Sequence, residues 1–285
     1  MGERTLELVE TDRALPARLC LRTELSARGL RYASRHGLLH ERTDGAVPSI
    51  LFGRDGVGRH GNFHPASYER ICAAPAWAKR LGKVHTGYRR ARVRANWEWR
   101  ELDCSCSSDA LLMNIFCYPG VMEFRSVRAL LGNDRAEAPE FGIKPRTPLA
   151  NGGRDNTEID MRVGDLLVEA KLTESDFQIA DGRLVSRYRD LEAVFETAEL
   201  PMRNGKHVGY QLIRGILAAH AAEGSFCVFC DARRPDLSEC WYRVMRAVRL
   251  YDLRCRLKLL TWQELAAVAP GELREFLAEK YGVVA

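Results

Sequence analysis

The stretch TEIDMRVGDLLVEAKLTE, residues 157–174, alternates apolar and polar side chains on both sides of a Gly164-Asp165 pair. Alternation with a period of two is typical of a half-buried β-strand, and a Gly-Asp pair between two such runs predicts a two-residue hairpin turn. The second face of this hairpin is polar. The apolar face is formed by Ile159, Met161, Val163, Leu166, Val168, Ala170 and Leu172.

A two-residue turn fixes which residues of the hairpin face each other. It places Val163 opposite Leu166, and counting outward from that pair places Asp160 opposite Glu169. Directly opposed residues have β-carbons roughly 5 Å apart, and like charges at this distance repel each other. A divalent cation held by both carboxylates would offset the repulsion. The alternative is an ordinary hairpin whose polar face is only solvated.

Further charged residues are candidates for the same site. The register places Glu158 opposite Lys171, so that a lysine lies beside the two carboxylates. Glu123 lies on a predicted helix that precedes the hairpin, and it is a candidate third carboxylate if that helix packs on the strands. The alternative for Glu123 is an exposed helix position. Because an Asp followed at a distance by Glu-x-Lys is common by chance, the rest of the chain has to discriminate between these readings.

Composition restricts the class of protein. At 285 residues the chain is long enough for one substantial core, or for one core with an added module. The 46% hydrophobic and 28% charged residues are typical of a globular protein, and no apolar run is long enough to cross a bilayer. The charged start MGERTLELVETDR lacks the apolar segment of a signal peptide, and the nine scattered cysteines argue against a secreted disulfide framework. We therefore expect a cytoplasmic protein with no membrane partner.

The charge is distributed unevenly along the chain. The net charge is +5, whereas residues 1–100 alone contain 19 Lys and Arg against 10 Asp and Glu. The basic part predicts a polyanionic partner, and the acidic balance of the remainder suits a site that collects metal ions. In the most basic stretch, cations alternate with aromatic residues, as suits contact with a phosphate backbone. The alternative is a solvated helix face. The candidates for DNA binding are Lys79, Arg80, Lys83, Arg89, Arg90, Arg92 and Arg94.

The remaining sequence predicts helices packed on a sheet. A helix begins near Ser107 and a second helical piece covers residues 121–131, before a loop rich in Gly and Pro. That loop covers residues 132–156; helices are predicted at 187–199 and 208–222, a buried strand in SFCVFCDARR, and a helical tail from about residue 238.

Asp160 and the run Glu169-Ala170-Lys171, on two antiparallel strands between a helix and a second helix bearing Gln211, resemble the PD-(D/E)XK nuclease superfamily. The resemblance covers roughly residues 105–235. The phrases SSDALLMN, EAKLTE, GYQLIRG and DARRPDL are similar to those of a group of bacterial restriction endonucleases. No proline precedes Asp160, where the name of the superfamily would place one, although many members lack it.

The resemblance implies an α/β fold with a restriction-endonuclease-like core, in which helices flank a central mixed sheet with an antiparallel hairpin. We expect this core, with a helical tail, over residues 101–285, and a basic extension of helices and loops over residues 1–100 packed on it. The resemblance also implies a Mg²⁺-dependent endonuclease that hydrolyses duplex DNA, with Mn²⁺ able to substitute. Such an enzyme would be a restriction or defence protein, a homodimer, and nucleoid-associated, with no small-molecule substrate.

A role for each matching residue follows from the same resemblance. Asp160, Glu169 and the carbonyl of Ala170 would hold Mg²⁺, and Lys171 would orient or help to deprotonate the attacking water. Gln211 would contact the active site or the phosphate. Two alternatives remain open: a repair or recombination nuclease that acts on ends or single strands, and a DNA-binding protein that has the same fold but no catalysis.

Overall fold

The computed structural model describes residues 16–44, 47–84 and 100–284. Its strands, in chain order, are β1 His40–Arg42, β2 Ile50–Phe52, β3 Glu140–Ile143, β4 Thr147–Pro148, β5 Arg154–Asp155, β6 Ile159–Val163, β7 Leu166–Ala170, β8 Ile179–Asp181, β9 Met202–Arg203, β10 Lys206–Val208, β11 Ser225–Cys230 and β12 Leu257–Thr261.

Helices surround these strands, and short 3-10 turns connect several of them. The helices are α1 Ala17–His36, α2 Pro65–Ala73, α3 Pro75–Ala78, α4 Ser108–Phe116, α5 Arg125–Leu131, α6 Gly182–Val185, α7 Leu191–Val194, α8 Tyr210–Ala221, α9 Pro235–Arg246, α10 Tyr251–Arg254, α11 Trp262–Val268 and α12 Gly271–Tyr281. Within the described ranges, no helix is both long and apolar enough to cross a membrane.

A five-stranded sheet forms the centre of the molecule, in the order β12-β11-β7-β6-β3. Strands β7, β11 and β12 are parallel, whereas β6 runs antiparallel to both β7 and β3. Parallel neighbours need a crossover connection, and the segment between β7 and β11 supplies one that ends in α8. The predicted α/β class with a central mixed sheet is therefore confirmed.

The predicted hairpin is confirmed, with the predicted register from the pair Val163 and Leu166 as far as the pair Met161 and Val168. Gly164 has a φ of +59° in the turn, a conformation that glycine adopts with little strain. Burial alternates along β6 as predicted, but every residue of β7 is buried. Because β7 is flanked by strands on both sides and packed by helices on both faces, even Glu169 is removed from solvent.

Apolar layers cover both faces of the sheet. On one face Phe229 of β11 stacks on Trp262, with ring centroids 5.1 Å apart. On the other face Phe226 packs against α8, where a β-carbon at Gly215 would lie 2.4 Å from its ring. Glycine at this position therefore allows α8 to approach the sheet closely, which fixes the side chains of α8 relative to the hairpin.

The first part of the chain shares the core with the last. Leu21 and Leu25 of α1 belong to the same buried apolar cluster as Leu277 of α12. On the surface of this contact Arg35 forms an ion pair with Glu279, at 2.6 Å. The predicted division of the chain into an extension over residues 1–100 and a core over residues 101–285 stays a prediction.

Three predicted elements are wrong. The loop predicted at residues 132–156 contains β3, a short edge strand whose pattern is broken by Gly142 at a φ of +63°. The tail predicted as helical contains β12. This strand was not predicted because its run of leucines lacks the alternation that marks a strand. The helix predicted at 187–199 is reduced to α7 and a 3-10 turn, since Phe195 turns into an extended bridge with Val248.

Candidate active site

The two carboxylates predicted from the register lie together where the hairpin strands diverge. The ladder between β6 and β7 ends at Met161 and Val168, and the Asp160 carboxylate then accepts a hydrogen bond from the Ala170 N–H at 2.7 Å. Desolvation raises the pKa of Asp160 well above its ordinary value, and the charge of Glu169 raises it further. The repulsion expected from the register is thus a property of the folded protein.

Glu169 is held by two donors on the same oxygen. Lys171 Nζ and Gln211 Nε2 each lie 2.6 Å from Glu169 Oε1. The residue is 2% exposed, so both contacts are shielded from water. Its second oxygen, Oε2, is 4.0 Å from Arg214 Nη2. The structure therefore brings together Asp160, Glu169, Lys171 and Gln211 as the resemblance implied.

Lys171 is fixed through its backbone as well as through its side chain. Its N–H donates to the Phe229 carbonyl at 2.8 Å, and its carbonyl accepts from the Trp262 indole at 2.9 Å. Burial by itself lowers the pKa of Lys171, but the carboxylates of Glu169 and Asp160 reverse this effect and raise the pKa above its ordinary value. Lys171 is consequently an ammonium ion at neutral pH in this arrangement.

One face of α8 points at the hairpin. Gln211 and Arg214 are one turn apart, a spacing that places both side chains on the same side of a helix. Arg214 Nη2 donates to the Glu158 carbonyl at 3.2 Å. Arg214 was not predicted from the sequence, although its spacing from Gln211 in YQLIR is a signal that could have found it.

Two further carboxylates, Asp109 and Glu158, are bridged by cations from the N-terminal part of the chain. Arg80 Nη2 lies 2.9 Å from Asp109 and Arg80 Nη1 lies 2.7 Å from Glu158. Lys83 Nζ adds contacts of 2.7 Å to Asp109 and 3.4 Å to Glu158. We call these four side chains the Arg80 bridge. The predicted pairing of Glu158 with Lys171 is therefore wrong. The pairing between β6 and β7 ends before Glu158, and the Glu158 carboxylate forms an ion pair with Arg80 instead.

Asp109 is a site residue that sequence reasoning missed. It lies in the first turn of α4, where Ser107 caps the helix by accepting from the Ala110 N–H at 3.1 Å. It is 7% exposed and contributes to raising the pKa of Asp160. The helix-delivered carboxylate expected near the hairpin is therefore Asp109. The signal in the sequence was the position of Asp109 in SSDALLMN, two residues after the helix cap Ser107.

The other predicted residues have different positions. Glu123 is exposed in the 3-10 turn Val121–Glu123, and in the described part of the chain no hydrogen bond or ion pair joins its side chain to Asp160 or Glu169. Lys79 is exposed on the surface. The remaining residues predicted to bind DNA lie outside the described residues; they are Arg89, Arg90, Arg92 and Arg94.

Arg234, in the phrase DARRPDL, holds the segment that follows Lys171. Its side chain is fully buried and donates to the carbonyls of Leu172 at 3.2 Å and of Glu174 at 2.9 Å. Asp236 balances its charge at 2.8 Å. The similarity in DARRPDL thus has a structural reason, since this arginine fixes the end of EAKLTE.

The donor set suits an open magnesium site. Among the described residues, no group of three or more His, Cys, Asp and Glu side chains is arranged to enclose a metal ion. Mg²⁺, however, is commonly held by one or two carboxylates, with waters and substrate phosphates as its other ligands. Asp160 and Glu169 supply that number, and desolvation together with the charge of Glu169 raises the pKa of Asp160.

One comparison with known proteins gives a match. The family model described as restriction endonuclease associating with ARP matches residues 35–282. Neither the curated proteins nor the solved structures contain a match to the chain.

Proposed function

Because the chain belongs to this restriction endonuclease family, we propose that it is a Mg²⁺-dependent endonuclease that hydrolyses phosphodiester bonds of duplex DNA in restriction or defence. The observation that carries the proposal is the convergence of Asp160, Glu169 and Lys171 where the hairpin strands diverge. Two carboxylates and an ammonium ion are the groups that a metal-assisted attack of water on a phosphate requires. Mn²⁺ is proposed to substitute for Mg²⁺.

Asp160, Glu169 and the carbonyl of Ala170 would hold the ion. When bound, Mg²⁺ supplies Lewis acidity towards a phosphate oxygen and lowers the pKa of a coordinated water. Gln211 fixes the Glu169 carboxylate by its hydrogen bond at 2.6 Å, so the oxygen turned away from Gln211 keeps a defined direction. Such fixed ligands lower the cost of reorganisation during the reaction.

Lys171 acts as a cation in this proposal. In the metal-free protein the two neighbouring carboxylates raise its pKa and favour the ammonium form. An ammonium group beside the reacting phosphate stabilises the negative charge that develops on its oxygens. Lys171 is therefore proposed to stabilise this charge, beside the expected role of orienting or helping to deprotonate the attacking water.

Contacts to DNA are assigned to cations that the acidic site does not use. Arg80 and Lys83 are occupied by Asp109 and Glu158, so we no longer propose that they bind phosphates directly. Lys79 and the four arginines between residues 89 and 94 remain the proposed phosphate contacts. Cleavage of both strands from one site each would favour a homodimer.

Cleavage of supercoiled plasmid by the purified chain with Mg²⁺ tests the proposal. Asp160→Ala and Lys171→Ala should abolish cleavage, whereas Asp165→Ala in the turn of the same hairpin and Lys206→Ala on exposed β10 should retain it. Thermal melting checks that each variant is folded. If both site variants cleave as well as the parent, the assignment of the site is wrong. Cleavage of linear or single-stranded DNA alone would favour a nuclease that acts on ends.

A further inference from the structure

A cavity lies apart from the candidate site formed by Asp160 and Glu169. It has a volume of about 500 Å³ and opens between the end of α1, the loop from Arg54 to Gly61, and α2. None of the residues that line it belongs to the carboxylate site or to the Arg80 bridge. The polar and aromatic side chains that line it include Tyr32, Arg54, His60, Tyr68, Cys72 and the exposed carboxylate of Glu69.

One wall of the cavity is fixed by buried hydrogen bonds. His60 Nε2 lies 3.0 Å from Asp103, and Asn62 Nδ2 donates to the Leu102 carbonyl at 2.6 Å. The fully buried Lys280 donates to Asn62 Oδ1 at 2.7 Å. This wall is consequently held by partners from two distant parts of the chain, so the cavity is preformed.

The side chains of the cavity favour a flat aromatic ligand. The rings of Phe63 and Tyr68 are stacked, with centroids 5.5 Å apart and an angle of 25° between their planes. His60 approaches both rings, at 5.0 Å and 5.4 Å between centroids. Base-sized rings bind to such surfaces by stacking, and a volume of about 500 Å³ lies within the range of small-ligand sites.

One cation of the cavity is available for an anion. Arg59 is paired with Asp55 at 2.8 Å, and His36 is paired with Glu279 at 3.2 Å. Arg54 is exposed, and within the described ranges it forms no ion pair with a carboxylate. Because a guanidinium matches the geometry of a phosphate, Arg54 provides an anion site next to the aromatic wall.

We propose that this cavity binds a nucleotide, with its base against the partly exposed ring of Tyr68, which the buried Phe63 supports from behind, and its phosphate on Arg54. The ligand is either a free mononucleotide or a nucleotide turned out of a DNA chain. The wall adjoins the ends of the basic segment, since Arg100 donates its N–H to Asp103 at 2.8 Å and Asp103 contacts His60. Val84 pairs with Arg100, so the segment that contains the four arginines starts and ends beside this wall.

Calorimetry of the full chain with the four deoxynucleoside monophosphates tests the free ligand. We expect saturable binding of at least one, weakened about tenfold or more by Arg54→Gln and by Tyr68→Ala. Arg243→Gln, which removes an exposed arginine of α9 that does not line this cavity, should leave the affinity unchanged. Equal binding by the parent and Arg54→Gln would rule out a free mononucleotide as the ligand.

The DNA source is tested with duplexes that differ by one unpaired base, in the absence of divalent cations. If the parent binds the duplex with the unpaired base more tightly and Arg54→Gln loses this preference, the ligand is a nucleotide turned out of the DNA. Cys72 is exposed at the rim, so its rate of alkylation, followed by mass spectrometry, should fall on binding, whereas that of the exposed Cys255 should not. If neither mononucleotides nor these duplexes bind in an Arg54-dependent manner, the cavity has no such role.

These measurements are independent of cleavage. Asp160→Ala should keep the affinity for nucleotides while it loses nuclease activity. A parent protein that binds nucleotides but does not cleave DNA would therefore refute the proposed nuclease and retain the cavity assignment. A parent protein that cleaves DNA but does not bind nucleotides would refute the cavity assignment and retain the proposed nuclease.

Discussion

At the scale of single residues, Asp160 is a carboxyl group whose pKa is set by burial and by a neighbouring carboxylate. Desolvation and the neighbouring Glu169 raise its pKa well above the ordinary carboxyl range. A carboxyl group whose pKa is raised by folding binds more protons in the folded state than in the unfolded state. The stability of the metal-free protein therefore falls as the pH rises from the ordinary carboxyl range through the raised pKa.

Asp160→Asn should remove this pH dependence. An amide oxygen can still accept the hydrogen bond from Ala170, but it carries no charge. We expect the metal-free variant to be more stable than the parent at pH 8 by on the order of 1 kcal/mol, and the difference to shrink towards pH 4. Urea denaturation at several pH values measures it. Saturating Mg²⁺ should stabilise only the parent, so an unchanged difference in Mg²⁺ would contradict the assignment of Asp160 as a ligand.

The Arg80 bridge sets how much negative charge the site presents to a cation. The Arg80 guanidinium partly neutralises the charges of the Asp109 and Glu158 carboxylates, and the Arg80 side chain is only 11% exposed. Arg80→Gln should lower the free energy of unfolding by about 2 kcal/mol, since the buried Asp109 loses one of its two cationic partners. It should also tighten the binding of Mn²⁺, because Glu158 becomes available.

Chemical denaturation and calorimetry with Mn²⁺ measure the two effects. Arg162→Gln is the matched control, because Arg162 forms an exposed pair with Glu140 on the same sheet. A variant at Arg80 that behaves like this control in both measurements would show that the bridge does not influence the metal site.

At the scale of elements, the edge strand β3 makes room for the Arg80 bridge. Gly142 has a φ of +63°, and a β-carbon there would lie 2.0 Å from Arg80 Nη1 and 3.1 Å from the Glu158 carboxyl carbon. A glycine that is both left-handed and in contact with two charged side chains can be replaced only by displacing them. The local irregularity of β3 is thus a requirement of the site.

Gly142→Ala should reduce cleavage about tenfold or more, because a displaced Arg80 no longer fixes Glu158 and Asp109. Gly152→Ala is the control, since Gly152 has a φ of +81° with no atom near its β-carbon position. Both variants should lose about 1 kcal/mol of stability from backbone strain. Plasmid cleavage rates of the two variants, each normalised to its folded fraction, make the comparison, and equal rates would contradict the role given to Gly142.

The hairpin could be predicted from the sequence because everything that defines it is local. Alternation and a two-residue turn within residues 157–174 give the register that the structure has. Strands β3 and β12 could not be predicted in this way. Each lies at an edge of the sheet, and its position depends on a partner strand elsewhere in the chain.

The same limit applies to the site. Asp160, Glu169 and Lys171 are close in sequence, and Gln211 was found through the resemblance. Arg80, by contrast, reaches Asp109 across 29 positions and Glu158 across 78. Nothing in a basic stretch of sequence distinguishes an arginine that pairs with buried carboxylates from one that binds phosphate.

At the scale of the whole molecule, the basic N-terminal third is proposed to hold DNA while the core cuts it. Replacing Arg89, Arg90, Arg92 and Arg94 by alanine should weaken binding of duplexes of any sequence. Each lost phosphate contact should reduce the slope of log affinity against log salt by about 0.9. Filter binding between low and moderate salt concentrations measures the slope. An unchanged slope would place the DNA contacts elsewhere on the molecule.

The buried lysine that fixes the cavity wall also links the order of synthesis to the assembly of the site. Lys280 donates to Gly61 and Asn62, and Asn62 accepts at its carbonyl from Asn114 of α4, the helix that carries Asp109. While the chain is being translated, these contacts cannot form until residue 280 has left the ribosome. A nascent chain shorter than this lacks these contacts to α4, so the candidate site is expected to be complete only after nearly all of the described chain has been synthesised.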